Sequence, residues 1–149
     1  MPEKALRPAK VLQKFGSILR RKMLLQSLTP ILWVDDLAAT TRYYSNVLGF
    51  TVRSPSEEGG WAPLLRDAAE IMFSIPNTHM PYVKPCPTGS LYYRTTEMDA
   101  WWQALKEKAT IAYPLEDFEY GMREFAIIDC NGYMLQFGQE LEPLFTQQF

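Results

Sequence analysis

The chain has 149 residues, of which 47% are apolar and 21% charged, and these ordinary globular values exclude wholesale disorder. The length favours one domain, or two small halves that share a core. A net charge of −2, from 15 basic and 17 acidic side chains, excludes the strongly basic balance that is typical of nucleic-acid-binding proteins.

The two cysteines, Cys86 and Cys130, neither form a metal-ligand pair nor suffice for a disulfide scaffold. No apolar run approaches the roughly 18 residues that a membrane span needs. The first residues also lack the continuous apolar stretch of a secretory signal. We therefore expect a cytoplasmic protein with reduced thiols, no membrane span and no nucleic-acid partner.

Residues 1–22 differ from the rest, because they contain seven basic side chains and one acidic side chain. The remainder of the chain is acidic. Val11, Phe15 and Leu19 have the spacing of one helical face. We predict a basic amphipathic helix or extension here, which contacts a membrane surface, a partner helix or the body of the protein itself. Residues 23–149 are predicted to form the main domain.

Residues 28–75 predict a βαβββ module. The segment TPILWV (29–34) has the character of a strand. Asp35 and Asp36 suit the N-cap of a helix over 37–48, and Gly49 suits its C-terminal end. Three apolar segments follow, separated by short turn sequences, and they predict strands over 50–54, 61–67 and 70–75.

The stretch 76–89 contains four prolines and predicts an irregular linker. A second module follows over 89–139. Its predicted elements are a strand over 90–95, a helix over 97–108, and three strands over 110–114, 124–129 and 133–138.

The two modules have the same order of elements, which indicates an internal duplication. The first strands of the modules start at Thr29 and Ser90, about 61 residues apart, and their last strands are offset by about 64 residues. We therefore predict an α+β fold. Its paired βαβββ modules form a curved mixed sheet around a cleft, with the helices outside.

The segment DCNGYMLQFG contains a hairpin signal and an unexpected amide. Asn131 and Gly132 predict a type I′ turn, in which both central residues have positive φ. In the next strand, Gln136 lies on the face opposite Leu135 and Phe137. Either this amide lines the cleft and faces ligand or water, or a side chain from a neighbouring strand satisfies it.

Two segments resemble a known family. LTPILWVDDLAATTRYYSNVLGF and YGMREFAIIDCNGYMLQFG are similar to the two signature segments of the glyoxalase, bleomycin-resistance and extradiol dioxygenase superfamily, also called vicinal oxygen chelate proteins. The resemblance covers about residues 28–139 and implies the same paired βαβββ fold. It also implies a divalent metal in the enzymatic members, held at four positions on the sheet by His, Gln or Glu.

The resemblance places those four positions at Thr29, Met72, Ser90 and Gln136. A thioether is a soft ligand, neutral hydroxyls bind metals weakly, and no carboxylate is present among the four. The single histidine of the chain, His79, lies in the proline-rich linker, so one chain cannot build a two-His-one-carboxylate site. We predict no metal, no other cofactor and no catalytic residue.

Strand alternation predicts which residues line the cleft. The lining is apolar and aromatic with a few polar anchors, as small-molecule sites usually are. The predicted ligand-binding residues are Thr29, Ile31, Trp33, Trp61, Met72, Ser90, Tyr92, Arg94 and Gln136. Trp33 either stacks on a planar or cationic group or belongs to an ordinary core. Trp101 and Trp102 are predicted to be packing residues.

By the resemblance, Tyr120, Arg123 and Glu124 lie near the mouth of the cleft. Arg123 and Glu124 point to opposite faces of an extended chain, so they do not form an acid–base pair. We predict a structural salt bridge for either of them.

The favoured function is that of a non-metal binding protein similar to the bleomycin-resistance branch. Such proteins sequester an aromatic or cationic compound, usually as homodimers. The first alternative is a metal-dependent lyase, isomerase or dioxygenase of the same superfamily, with Glu70, Glu124 and Gln136 as oxygen donors. The second is an interaction or regulatory module without a small ligand, for which residues 1–22 are the only support.

Overall fold

The computed structural model describes residues 25–53, 59–79 and 81–142. The basic helix predicted over residues 1–22 lies outside them. Within the described ranges, no helix combines the length and the apolar character that crossing a membrane requires.

Each half of the described chain is a βαβββ module, as the sequence predicts. The elements of the first module are β1 (Ile31–Trp33), α1 (Leu37–Asn46), β2 (Thr51–Val52), β3 (Trp61–Arg66) and β4 (Ala69–Ser74). Those of the second are β5 (Leu91–Arg94), α2 (Met98–Leu105), β6 (Thr110–Phe118), β7 (Met122–Ile128) and β8 (Met134–Glu140). The described linker residues, 75–79 and 81–90, contain neither helix nor strand.

The strands form two four-stranded sheets, one per module, with the orders β1-β4-β3-β2 and β5-β8-β7-β6. In each sheet the first and last strands of the module pair in parallel, and the other pairs are antiparallel. Ile31 lies opposite Met72, and Tyr92 lies opposite Gln136. This shared register confirms the duplication and makes Met72 and Gln136 equivalent positions.

Helix α1 begins at the predicted N-cap and ends at Asn46, two residues before the predicted end. The Asp36 carboxylate accepts a hydrogen bond of 2.8 Å from the backbone N–H of Ala39, as an N-cap does. Leu37 and Tyr44 on the helix, and Leu48 after it, are buried.

Helix α2 packs on its own sheet through two indoles. The Trp101 ring lies 4.9 Å from the Phe137 ring, and the Trp102 ring lies 5.3 Å from the Phe125 ring. The predicted packing role of both tryptophans is confirmed. Among residues 25–53, 59–79 and 81–142, no helix lies on the opposite face of either sheet, which is called the helix-free face below.

One core joins the two modules on the helix side. The rings of Phe50 and Tyr93, one from each module, are 6.3 Å apart. The Tyr44 hydroxyl of α1 donates a 2.8 Å hydrogen bond to the buried Asp129 carboxylate, which follows β7. The modules are therefore fixed to each other by apolar packing and by a buried polar contact.

The connection between β7 and β8 is not the predicted type I′ turn. Gly132 has a φ of 99°, but Asn131 does not have a positive φ. The Asp129 carboxylate accepts hydrogen bonds from the backbone N–H groups of Asn131 and Tyr133, at 2.9 and 2.8 Å. Because the carboxylate satisfies these amides, the chain makes a longer turn that needs one left-handed residue instead of two.

Candidate functional site

In the first module, the predicted site residues meet on the helix-free face. Ile31 lies opposite Met72, while Trp33 and Trp61 both lie opposite Ser74. Ile31 is 58% exposed and Trp61 is 39% exposed. This half of the face is an apolar, aromatic surface.

The four positions that hold the metal in enzymatic relatives do not fit a divalent ion. The Thr29 hydroxyl donates to the Glu70 carboxylate at 3.3 Å, and the Ser90 hydroxyl donates to the Gln136 carbonyl oxygen at 2.8 Å. Met72 adds a soft thioether. Among the residues that the structure describes, no three His, Cys, Asp or Glu side chains come together as metal ligands.

A buried carboxylate lies at the centre of the second module's helix-free face. Glu124 on β7 is 3% exposed. It accepts hydrogen bonds from the Tyr92 hydroxyl at 2.5 Å, the Tyr120 hydroxyl at 2.7 Å and the Gln136 amide at 3.0 Å. The Ser90 hydroxyl extends the chain of contacts through Gln136. These five residues are called the Glu124 network.

The explanation by neighbouring side chains is confirmed for Gln136, and its role in facing a ligand stays a prediction. The amide lies on the helix-free face, because its neighbours Leu135 and Phe137 are buried against the helices. The Ser90 hydroxyl donates to its carbonyl oxygen, and the Glu124 carboxylate accepts from its NH₂ group. Gln136 therefore holds Glu124 and Ser90 in place as well as facing the surface.

A glycine makes the contact between Tyr92 and Glu124 sterically possible. Gly138 on β8 lies between Arg94 and Glu124 in the register of the sheet. A Cβ atom at residue 138 would overlap the Tyr92 hydroxyl. The absence of a side chain at Gly138 thus lets the Tyr92 ring cross β8 and reach the carboxylate.

The Tyr92 and Tyr120 hydroxyls stay protonated at neutral pH and therefore donate to Glu124. Burial, followed by the hydrogen bond to Glu124, raises the pKa of Tyr92 to about 12. Burial, with the charge of Glu124 as a smaller cause, raises the pKa of Tyr113 to about 12. The hydrogen bond to Glu124 is the largest cause that raises the pKa of Tyr120.

The prediction of a salt bridge is confirmed for Arg123, whereas the described residues give Glu124 hydrogen bonds and no ion pair. Arg123 forms ion pairs with Asp99 of α2 at 3.6 Å and Asp117 of β6 at 3.2 Å. Glu124 points to the other face of β7, where its partners are two phenols and an amide. In the sequence, this role of Glu124 could have been inferred from its position on the same face of the sheet as Gln136.

Arg94 lies outside the Glu124 network. Its guanidinium forms an exposed ion pair with Glu140 at 3.1 Å, and it lies 5.9 Å from the centre of the Tyr92 ring. Its place among the ligand-binding residues stays a prediction.

The helix-free face is a partly exposed surface in a single chain. The four principal cavities found among the described residues include none lined by Trp33, Trp61, Met72 or Gln136. The structure places the predicted site residues in two groups, one on the helix-free face of each sheet.

The family follows from a direct comparison. The model of a family described as the Glyoxalase/Bleomycin resistance protein/Dioxygenase superfamily matches residues 25–137. The chain belongs to this superfamily. No curated protein matches it.

Several solved structures share the fold. A glyoxalase/bleomycin resistance protein/dioxygenase from Nocardioides is 18% identical, with a TM-score of 0.67, over 93% of this chain and 97% of that chain. TioX from Micromonospora sp. ML1 is 21% identical, with a TM-score of 0.61, over 78% and 99%. Lactoylglutathione lyase from Agrobacterium tumefaciens is 17% identical, with a TM-score of 0.57, over 77% and 94%. At these identities, the likeness shows the fold alone.

Proposed function

We propose that this superfamily member binds a small aromatic or cationic compound on its helix-free face, without a metal. Glu124 carries the proposal. This buried carboxylate is held by neutral donors, and no ion pair found among the described residues includes it. Burying a charge costs free energy unless it is paired. A cationic ligand would supply the missing charge, and the Tyr92 and Tyr120 rings would add cation–π contacts.

The chemistry of the donors supports binding over the metal-dependent alternative. Of the oxygen donors available to such an enzyme, Glu124 and Gln136 are hydrogen-bonded to each other, and Glu70 already accepts from Thr29. At Glu124 three donors already occupy both carboxylate oxygens, so a metal bound there would compete with them. We therefore derive no reaction step through a metal at this face.

A pair of charged dyes tests the proposal. We expect ethidium, a cationic aromatic dye, to bind about tenfold more tightly than the anionic dye fluorescein. Glu124→Gln should remove this preference, because it removes the charge and keeps the size of the side chain. Glu119→Gln is the matched control, since it removes an exposed charge nearby and should change affinity by less than about twofold.

Two results would overturn the proposal. One is equal binding of both dyes to the wild-type protein, or an unchanged preference in Glu124→Gln. The other is a stoichiometric amount of Fe, Mn, Ni or Zn in the purified protein, measured by elemental mass spectrometry and lost in Gln136→Ala.

We also propose a homodimer in which a second copy covers the exposed Ile31 and Trp61 on the helix-free face. Light scattering should then give twice the mass of the chain, and Ile31→Asp should give the monomer. A wild-type mass equal to one chain would contradict this. The cytoplasmic location stays a prediction.

A further inference from the structure

A cavity of about 210 Å³ lies between the two modules on the helix side. The first module contributes Phe50 and the β3–β4 turn that begins at Arg66. The second contributes Tyr93, Trp101 and Phe137. The cavity is therefore built from both modules.

This cavity is independent of the Glu124 network. Tyr93 follows Tyr92 along β5, and Phe137 follows Gln136 along β8. Successive side chains of a strand point to opposite faces. No residue of the Glu124 network lines the cavity, so a ligand here would be a second ligand.

The walls of the cavity are aromatic, and a guanidinium is fixed at their edge. The Phe137 ring lies 5.5 Å from the Tyr93 ring and 4.9 Å from the Trp101 ring. The Arg66 guanidinium lies 4.0 Å over the Trp101 ring, and it also donates to the carbonyl oxygen of Leu48. Arg66 therefore connects the first module to α2 beside the cavity.

The charges at the rim favour a neutral ligand. Arg66 has Asp67 at 3.7 Å, and Arg94 has Glu140 at 3.1 Å, so each cation already has a carboxylate partner. Asp67 and Glu97 line the cavity together with the two arginines, so a charged ligand would lose its hydration without finding an unpaired opposite charge.

The size of the cavity fits one six-membered ring. An apolar cavity of about 150 Å³ suffices to bind benzene, and drug-sized ligands need about 300 Å³ or more. We infer that this cavity binds a neutral monocyclic aromatic compound, such as a substituted phenol, between the two modules.

Fluorine NMR with 4-fluorophenol tests this inference on the full chain. We expect saturable binding, and at least tenfold weaker binding of the anionic analogue 4-fluorobenzoate. Ala69→Leu adds an isopropyl group to a residue that lines the cavity and should weaken 4-fluorophenol binding at least tenfold. Ala104→Leu, at an exposed position of α2, is the matched control and should leave the affinity unchanged.

A crystal soaked with 4-bromophenol locates the ligand without any substitution. We expect the anomalous bromine peak inside the cavity, beside Trp101 and Phe137. A bromine peak found only elsewhere would overturn the inference. So would the absence of saturable 4-fluorophenol binding, or equal affinities in the wild type, Ala69→Leu and Ala104→Leu. Equal binding of 4-fluorobenzoate would overturn the ligand class. None of these results affects the dye experiment, because the cavity and the Glu124 network share no residue.

Discussion

The two modules share a fold and differ on their helix-free faces. At the equivalent centre of each sheet, the first module has Ile31 opposite Met72, and the second has Tyr92 opposite Gln136. The first face is apolar and indole-rich, while the second holds the buried Glu124 carboxylate. The helix-facing residues are buried and apolar in both modules, so the modules differ in chemistry only on the helix-free faces.

Asp129→Ala should have the largest effect, because Asp129 joins the modules. Its buried carboxylate accepts from the Tyr44 hydroxyl and from the backbone of Asn131 and Tyr133. An unpaired buried donor costs about 1–3 kcal/mol, so the free energy of unfolding should fall by about 3 kcal/mol or more. Urea denaturation measures this loss.

Tyr44→Phe is the control for Asp129→Ala, since it removes one of the three contacts and should cost about 1 kcal/mol. Equal losses in the two variants would show that the hairpin contacts of Asp129 contribute nothing. The whole contribution of Asp129 would then come from its contact with the Tyr44 hydroxyl, which joins the modules.

Gly138→Ala sharpens the comparison, because the first module has Ser74 at the equivalent position. The added methyl group would displace Tyr92 from Glu124. We expect ethidium affinity to fall about tenfold, with a loss of about 1–3 kcal/mol in the free energy of unfolding from overpacking. Gly89→Ala is the control, since open space surrounds that residue. Similar affinities in the two variants would remove Tyr92 from the site.

The smallest expected effect is a dependence on alkaline pH. The pKa of Tyr92 is raised to about 12 in the folded chain, against about 10 when unfolded. Because the folded pKa is the higher one, the contribution of the neutral phenol to stability is complete below about pH 10 and is lost toward about pH 12. Tyr92→Phe should therefore lose less unfolding free energy than the wild type between about pH 10 and about pH 12. Identical pH profiles would contradict this role.

The modules were predictable from the sequence because local signals agree with their tertiary packing. Apolar alternation marked the strands, and Asp36 marked the start of α1. The predicted strand over 110–114 was too short, because Pro114 was taken as its end. The ladder between β6 and β7 has an irregularity between Tyr113 and Glu116, and a proline is tolerated at a bulge in an edge strand.

The candidate site was only partly predictable. Alternation placed Ser90, Tyr92 and Gln136 on one face, since this depends only on each strand's own sequence. The role of Glu124 depends on the register between β7 and β8 and on a tyrosine from the β6–β7 turn. Such pairings are not encoded in the pattern of either strand. The steric role of Gly138 likewise appears only when a third strand, β5, is beside it.

The central claim is that the helix-free face is a metal-free ligand site centred on Glu124. A crystal structure with ethidium bound is its most direct test. We predict the dye in contact with the Glu124 carboxylate and the Tyr92 ring. A dye bound only elsewhere, or a metal ion coordinated among Thr29, Met72, Ser90 and Gln136, would contradict the proposed function.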